Sequence, residues 1–155
     1  MSSLDDLYKE IILDHYRSPR NKGELAPPAH RCEGFNALCG DEIIVYVSLI
    51  DEMVDDIKIG GQGCSISQAS ASMMTEIIKG KSVSEAEEII HAFKEMMDIY
   101  ESKLSGEQAE RSISDIDLGD LEALQGVVKY PVRIKCATLA WNTLTQSFDE
   151  IQNLI

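Results

Sequence analysis

The stretch Gly60-Gly61-Gln62-Gly63-Cys64-Ser65-Ile66-Ser67 constrains the fold of this chain more than any other. Behind it lie two runs rich in β-branched residues, 43–50 and 54–59, separated by Asp51-Glu52-Met53, a spacer short enough for a hairpin turn. Ahead of it the period changes. Residues 65–78 begin small and polar, then place Met73, Met74, Ile77 and Ile78 at helical spacing, with Gly80 as a C-terminal stop. Three glycines in four residues permit the tight turn that converts a strand into a helix, because glycine carries no Cβ. A hairpin that feeds a helix in this way predicts an α+β fold with a small antiparallel sheet.

The remaining pattern supplies helices to cover that sheet. Leu4, Leu7, Tyr8, Ile11, Ile12, His15 and Tyr16 fall on one helical stripe, with Ser3 as N-cap, and the stripe ends at Ser18-Pro19. Residues 30–35 read as a short strand. Ser84-Glu85-Ala86-Glu87 resembles a capping box, followed by Ile89, Ile90, Phe93, Met97 and Tyr100 on one helical face. Residues 101–116 are polar and without period, which predicts an exposed insertion, and 118–127 a short helix. Pro131 suits a first helical turn, and Ile134, Ala137, Trp141, Leu144, Phe148 and Ile151 mark a long last helix. At 155 residues the chain has the size of a single domain, 1–155.

Charge narrows the partners. With 14 Lys and Arg against 27 Asp and Glu, the net charge of −13 repels phosphate backbones and anionic lipid, so neither nucleic acid nor membrane is expected. The opening residues are acidic where a secretory signal is basic, so a cytoplasmic location is expected. In that compartment Cys32, Cys39, Cys64 and Cys136 stay reduced, which favours metal or thiol chemistry over disulfides.

Three of these cysteines sit where chemistry is easy. Cys39-Gly40-Asp41 places a thiol and a carboxylate on the loop before a strand. Cys64 opens a helix, where unpaired N–H groups stabilise a thiolate. Cys136 lies in the first turns of the last helix beside Arg133 and Lys135, cations that also favour a thiolate. Three sulfurs and one oxygen suit a tetrahedral ion such as zinc, with the harder carboxylate the easiest ligand to displace. Spacing alone leaves rivals open: Asp41 as a plain turn residue, or a four-sulfur structural zinc module in which Cys32 replaces it. Cys32 also reads as a small buried hydrophobe. A zinc hydrolase lacks a general base, and a thiol oxidoreductase lacks a C-x-x-C pair. His15, His30 and His91 are isolated, and the Met73-Met74 and Met96-Met97 pairs read as core or partner surface.

Cys39-Gly40-Asp41, then Gly61-Gln62-Gly63-Cys64-Ser65-Ile66-Ser67, then Arg133-Ile134-Lys135-Cys136-Ala137-Thr138-Leu139-Ala140-Trp141 resemble the IscU/SufU family of iron-sulfur cluster assembly proteins, which is NifU N-terminal-like. The likeness covers nearly the whole chain, including the opening Leu7-Tyr8-Lys9-Glu10-Ile11-Ile12-Leu13-Asp14-His15-Tyr16. It implies a three-stranded antiparallel sheet packed by about five helices, with the metal site at one exposed end. Two departures choose a branch. IscU-type scaffolds carry a histidine before the third cysteine, where this chain has Lys135, and the long polar stretch between Cys64 and Cys136 is like that of SufU-type members.

For the SufU branch the resemblance implies zinc held by Cys39, Asp41, Cys64 and Cys136, and sulfur acceptance from a cysteine desulfurase of the SufS type. Cys39 is the expected persulfide acceptor, freed when the desulfurase supplies a competing ligand, with Arg133 supporting the ligands from behind. The alternative is a scaffold on which Cys39, Cys64 and Cys136 bind a [2Fe-2S] cluster or iron for other assembly or acceptor proteins.

Overall fold

The computed structural model describes residues 3–37, 39–104 and 116–153, and the side chains of 3–5 and 99–104 lie outside that description. Chain order is α1 (Ser3–Arg17), β1 (His30–Asn36), β2 (Asp41–Ile50), β3 (Met53–Gln62), α2 (Ser65–Ile78), α3 (Val83–Leu104), a 3-10 helix (Gly119–Lys129) and α4 (Pro131–Asn153). The strands form one antiparallel sheet in the order β1-β2-β3. The expected α+β class and helix-covered sheet are therefore present.

Alternation along the strands buries one face. Ile43, Val45 and Val47 on β2 and Val54, Ile57 and Ile59 on β3 are buried beneath the helices. Each such side chain contributes roughly 1.5–3 kcal/mol. The hairpin turn is Asp51-Glu52, both with positive φ (51° and 63°), and Met53 already pairs with Ile50. Two left-handed residues give the twist that a two-residue hairpin needs.

The small residues of α2 let α4 come close. Ala69, Ser70 and Ala71 are all fully buried. The Trp141 indole N–H donates to Ser70 Oγ at 2.9 Å, and Ser70 in turn donates to the Ala137 carbonyl at 2.6 Å. Phe93 of α3 stacks on Trp141 with ring centroids 4.5 Å apart. This lattice fixes the start of α2, which carries Cys64, relative to the start of α4, which carries Cys136.

Several sequence readings need correction. Asp41 is not on a loop: it is the first residue of β2, paired with Asn36. The capping box belongs to Ser82 and Glu85, where Ser82 Oγ accepts from the Glu85 N–H at 3.1 Å and Glu85 Oε1 accepts from the Ser82 N–H at 3.4 Å. The Met53–Ser82 bridge and the Val83 N–H bond to the Glu52 carbonyl decide between the two overlapping boxes, because they pin the chain at Ser82. α3 runs to Leu104, into the stretch read as aperiodic, while 105–115 of the expected insertion lies outside the described residues, as does the Tyr100 side chain. Leu7 and Tyr16 of the α1 stripe are exposed, and His15 is buried. Among the described residues no helix is long and apolar enough to cross a membrane.

Candidate metal centre

Three turns converge at one end of the sheet. β1 and β2 are joined by the short segment that holds Cys39, and the Cys39 N–H donates to the Asn36 carbonyl at 3.3 Å, which closes it. Asp41 opens β2 and is completely buried. On the neighbouring strand Gly61 has φ of +103°, and a Cβ there would collide with the Glu42 carbonyl, so only glycine allows this close pairing. A Cβ on Gly63 would meet Asp41 Oδ1 and Ser67 Oγ. The glycines of the strand-to-helix motif thus do more than turn the chain: they make room for a carboxylate.

Cys64 is the N-cap of α2, and its N–H donates to Asp41 Oδ1 at 2.9 Å. From α4, Cys136 projects its sulfur into the same space. One ligand atom each of Cys39, Asp41 and Cys136 lie within 4.8 Å of one another, a group that can hold a metal ion. Cys64 borders this group without joining that 4.8 Å set: its thiol interacts with Cys136 and Asp41, and its sulfur faces the Arg133 guanidinium. Cys39 and Cys64 are half-buried, whereas Asp41 and Cys136 have no exposed surface.

The electrostatics differ from one ligand to the next. Burial alone would raise the Asp41 pKa, but hydrogen bonds from Cys136, the Cys64 N–H, Ser67 and the Cys64 thiol outweigh it and hold the carboxyl below its ordinary value. The Cys136 thiol is pushed far above the ordinary value, first by burial, then by hydrogen bonding to Asp41 and Cys39 and by the charge of Cys64. Sequence reading expected Arg133 and Lys135 to favour its thiolate. Arg133 instead lies against Cys64, which raises the guanidinium pKa, and burial governs Cys136. A divalent cation among these groups would reverse that balance, because a coordinating thiol gives up its proton outright.

Cys32 stands apart. It is buried on β1 opposite Val45, four residues from Asn36, or roughly 13 Å along the strand. Of the histidines, His15 bonds Ser72 Oγ at 2.8 Å, His30 pairs with Glu150 at 2.7 Å, and His91 is exposed near Glu95; none of them is in the group. Sequence reading missed Asn36, whose Nδ2 lies 3.4 Å from Asp41 Oδ2 and 3.7 Å from Cys136 Sγ, and Ser67, which bonds Asp41. The one available signal for Asn36 was its place directly after the run 30–35 read as a strand, which the structure extends to Asn36.

Residues 7–137 match the family model described as NifU-like N terminal domain. The chain is 47% identical over 143 residues to the zinc-dependent sulfurtransferase SufU of Bacillus subtilis strain 168, covering 92% of this chain and 90% of that protein. It is 37% identical over 153 residues to the iron-sulfur cluster assembly scaffold protein IscU of Streptococcus pyogenes serotype M1, covering 99% and 89%. A Fervidobacterium islandicum AW-1 structure, described as an iron-sulfur cluster assembly scaffold for the SUF system, superposes with a TM-score of 0.70 at 33% identity, covering 94% of this chain and 98% of that one. The chain belongs to the NifU-like N-terminal domain family.

Proposed function

We propose that this NifU-like chain serves iron-sulfur cluster assembly as a sulfur relay, accepting persulfide sulfur from a cysteine desulfurase at Cys39. The observation that carries the reading is the asymmetry of the centre: Cys39 is a half-exposed sulfur on a turn, while Asp41 and Cys136 beside it are fully buried. Only a reachable thiol can meet a sulfur bound to another protein. Identity of 47% to a protein named a zinc-dependent sulfurtransferase supports the same assignment.

The donor set fits zinc. Cys39, Cys64 and Cys136 would supply soft sulfur and Asp41 one oxygen, a combination that zinc accepts in tetrahedral geometry. Bound zinc would keep the thiols deprotonated. The remaining steps belong to the chain. The Cys64 N–H and Ser67 keep Asp41 ionised, Arg133 offsets the charge on Cys64, and the fixed starts of α2 and α4 hold two sulfurs still while the Cys39 turn offers the third.

Transfer is a substitution at sulfur. The Cys39 thiolate attacks the outer sulfur of the desulfurase persulfide, a new S–S bond forms on Cys39, and the desulfurase cysteine leaves as thiolate with no net oxidation. Cys39→Ser is expected to abolish stimulation of a SufS-type desulfurase in a cysteine-to-sulfide assay while Cys32→Ala retains it. Undiminished stimulation by Cys39→Ser would remove Cys39 from the reaction.

A second reading, a scaffold for a [2Fe-2S] cluster on Cys39, Cys64 and Cys136, is favoured by the 37% identity to an IscU scaffold. Anaerobic purification separates the two: one zinc without sulfide supports the relay, and iron with equal sulfide supports the scaffold.

A further inference from the structure

Asn36 touches the centre at three points. It is buried at the end of β1, and its amide Nδ2 reaches Asp41 Oδ2 at 3.4 Å and Cys136 Sγ at 3.7 Å. Its carbonyl accepts from the Cys39 N–H at 3.3 Å. One side chain and one peptide thus contact three of the four residues assigned to the metal. The amide orientation is fixed by chemistry: reversed, its oxygen would face a carboxylate oxygen, two acceptors with no proton between them.

The two oxygens of Asp41 are treated differently. Oδ1 takes the shorter bond, 2.9 Å, from the Cys64 N–H at the positive end of α2. Oδ2 takes the longer one from Asn36. The oxygen with the weaker bond is the one a cation can claim, and Asn36 lies on the side of Asp41 that faces Cys136.

We infer that Asn36 is a positioning residue for the metal centre: its amide sets Asp41 Oδ2 and Cys136 Sγ against each other, its carbonyl holds the Cys39 turn, and the carboxylate therefore binds through Oδ2 alone. This rests on the proposed metal-bound relay. A neutral amide suits the task, because three thiolates and a carboxylate around a divalent cation leave excess negative charge that N–H donors disperse without displacing the ion. Partners that orient metal ligands from outside typically matter by about 10–100-fold in affinity or activity.

The test uses the full chain and zinc alone. Zinc release to a chromophoric chelator is measured by stopped flow for the parent, Asn36→Ala and the isosteric Asn36→Asp, and Co2+ is substituted as a spectroscopic probe. Release at least about 10-fold faster in both variants is expected. The sulfur-to-cobalt charge-transfer bands should persist while the d–d bands shift as the oxygen ligand loosens. In the double variant with Asp41→Ala, the Asn36 substitution should add less than it does alone, since the part of its effect that runs through Asp41 Oδ2 is already lost.

Release within twofold of the parent in folded variants, or full additivity with Asp41→Ala, overturns the inference and leaves the relay standing. A parent chain that binds no zinc instead overturns the relay itself. Should both variants fail to fold, the parent decides: the Asn36 side-chain amide signals in its 15N spectrum are expected to move on zinc loading, and unmoved signals overturn the inference.

Discussion

Cys32 and Cys136 are both buried, both packed in the layer between the sheet and α4, and both have thiols that burial pushes above the ordinary value. Their surroundings divide them. Cys32 faces Val45 across the ladder, and Ser147 and Glu150 are its polar neighbours. Cys136 has Asp41, Cys39, Cys64 and Asn36 around its sulfur. Burial suppresses ionisation at both, but only at Cys136 do other donors stand ready to share a cation. A cysteine becomes a ligand through the company the fold gives it, not through its own exposure.

The largest test of that contrast is removal of each sulfur. Cys136→Ser should cost stoichiometric zinc, with affinity falling beyond the roughly 100-fold that partners outside the ligand set are worth, because a thiolate held on the fixed start of α4 is replaced by a weak oxygen donor. Atomic absorption after dialysis against a chelator measures it, and full retention would break the comparison. Asp41→Ala ranks next. Three sulfurs remain, so the ion should stay bound while its exchange speeds up by about 10-fold, read with radioactive or isotopically enriched zinc.

How far this centre was legible in the sequence depends on the kind of information each part needs. The sheet, the α2 and α4 starts and the Cys-Gly-Asp pair followed from local pattern, since periodicity and glycine placement are local properties. Asn36 did not, because its role arises from cross-strand register: it matters only once β1 pairs Asn36 with Asp41 and α4 brings Cys136 alongside. The state of Cys136 was misread for a related reason. Arg133 and Lys135 are close in sequence, but the helix turns Arg133 towards Cys64, and burial is a property of the assembled core. The hairpin was legible as a short spacer, although Asp51-Glu52 carries no glycine to announce its left-handed turn.

Smaller effects sharpen the contrast through pH. A thiol whose pKa is raised on folding stabilises the protein below its unfolded value, near the ordinary 9.0, and that contribution is lost as pH rises. Above that value the unfolded chain releases protons that the folded metal-free chain keeps, so urea-unfolding free energy should fall by up to about 1.4 kcal/mol per pH unit for each such thiol. Cys136→Ala should flatten the alkaline slope more than Cys32→Ala, because Cys136 sits among more groups that oppose its charge. Equal slopes would mean that burial alone sets both thiols.

The smallest effect belongs to Cys32→Ala. It removes one sulfur from a wall shared by β1 and α4, a loss comparable to a buried methylene, so stability should drop by roughly 1 kcal/mol. Ser147, although buried, keeps its hydrogen bond to the Thr143 carbonyl at 3.0 Å, and Glu150 keeps His30 at 2.7 Å, so no large desolvation penalty follows. Zinc content should stay at one per chain, since about 13 Å of strand separates Cys32 from Asn36 and the centre. If zinc is lost instead, the fourth sulfur is a ligand after all, Asp41 is displaced from the set, and the chain holds its ion as a structural module rather than as a relay.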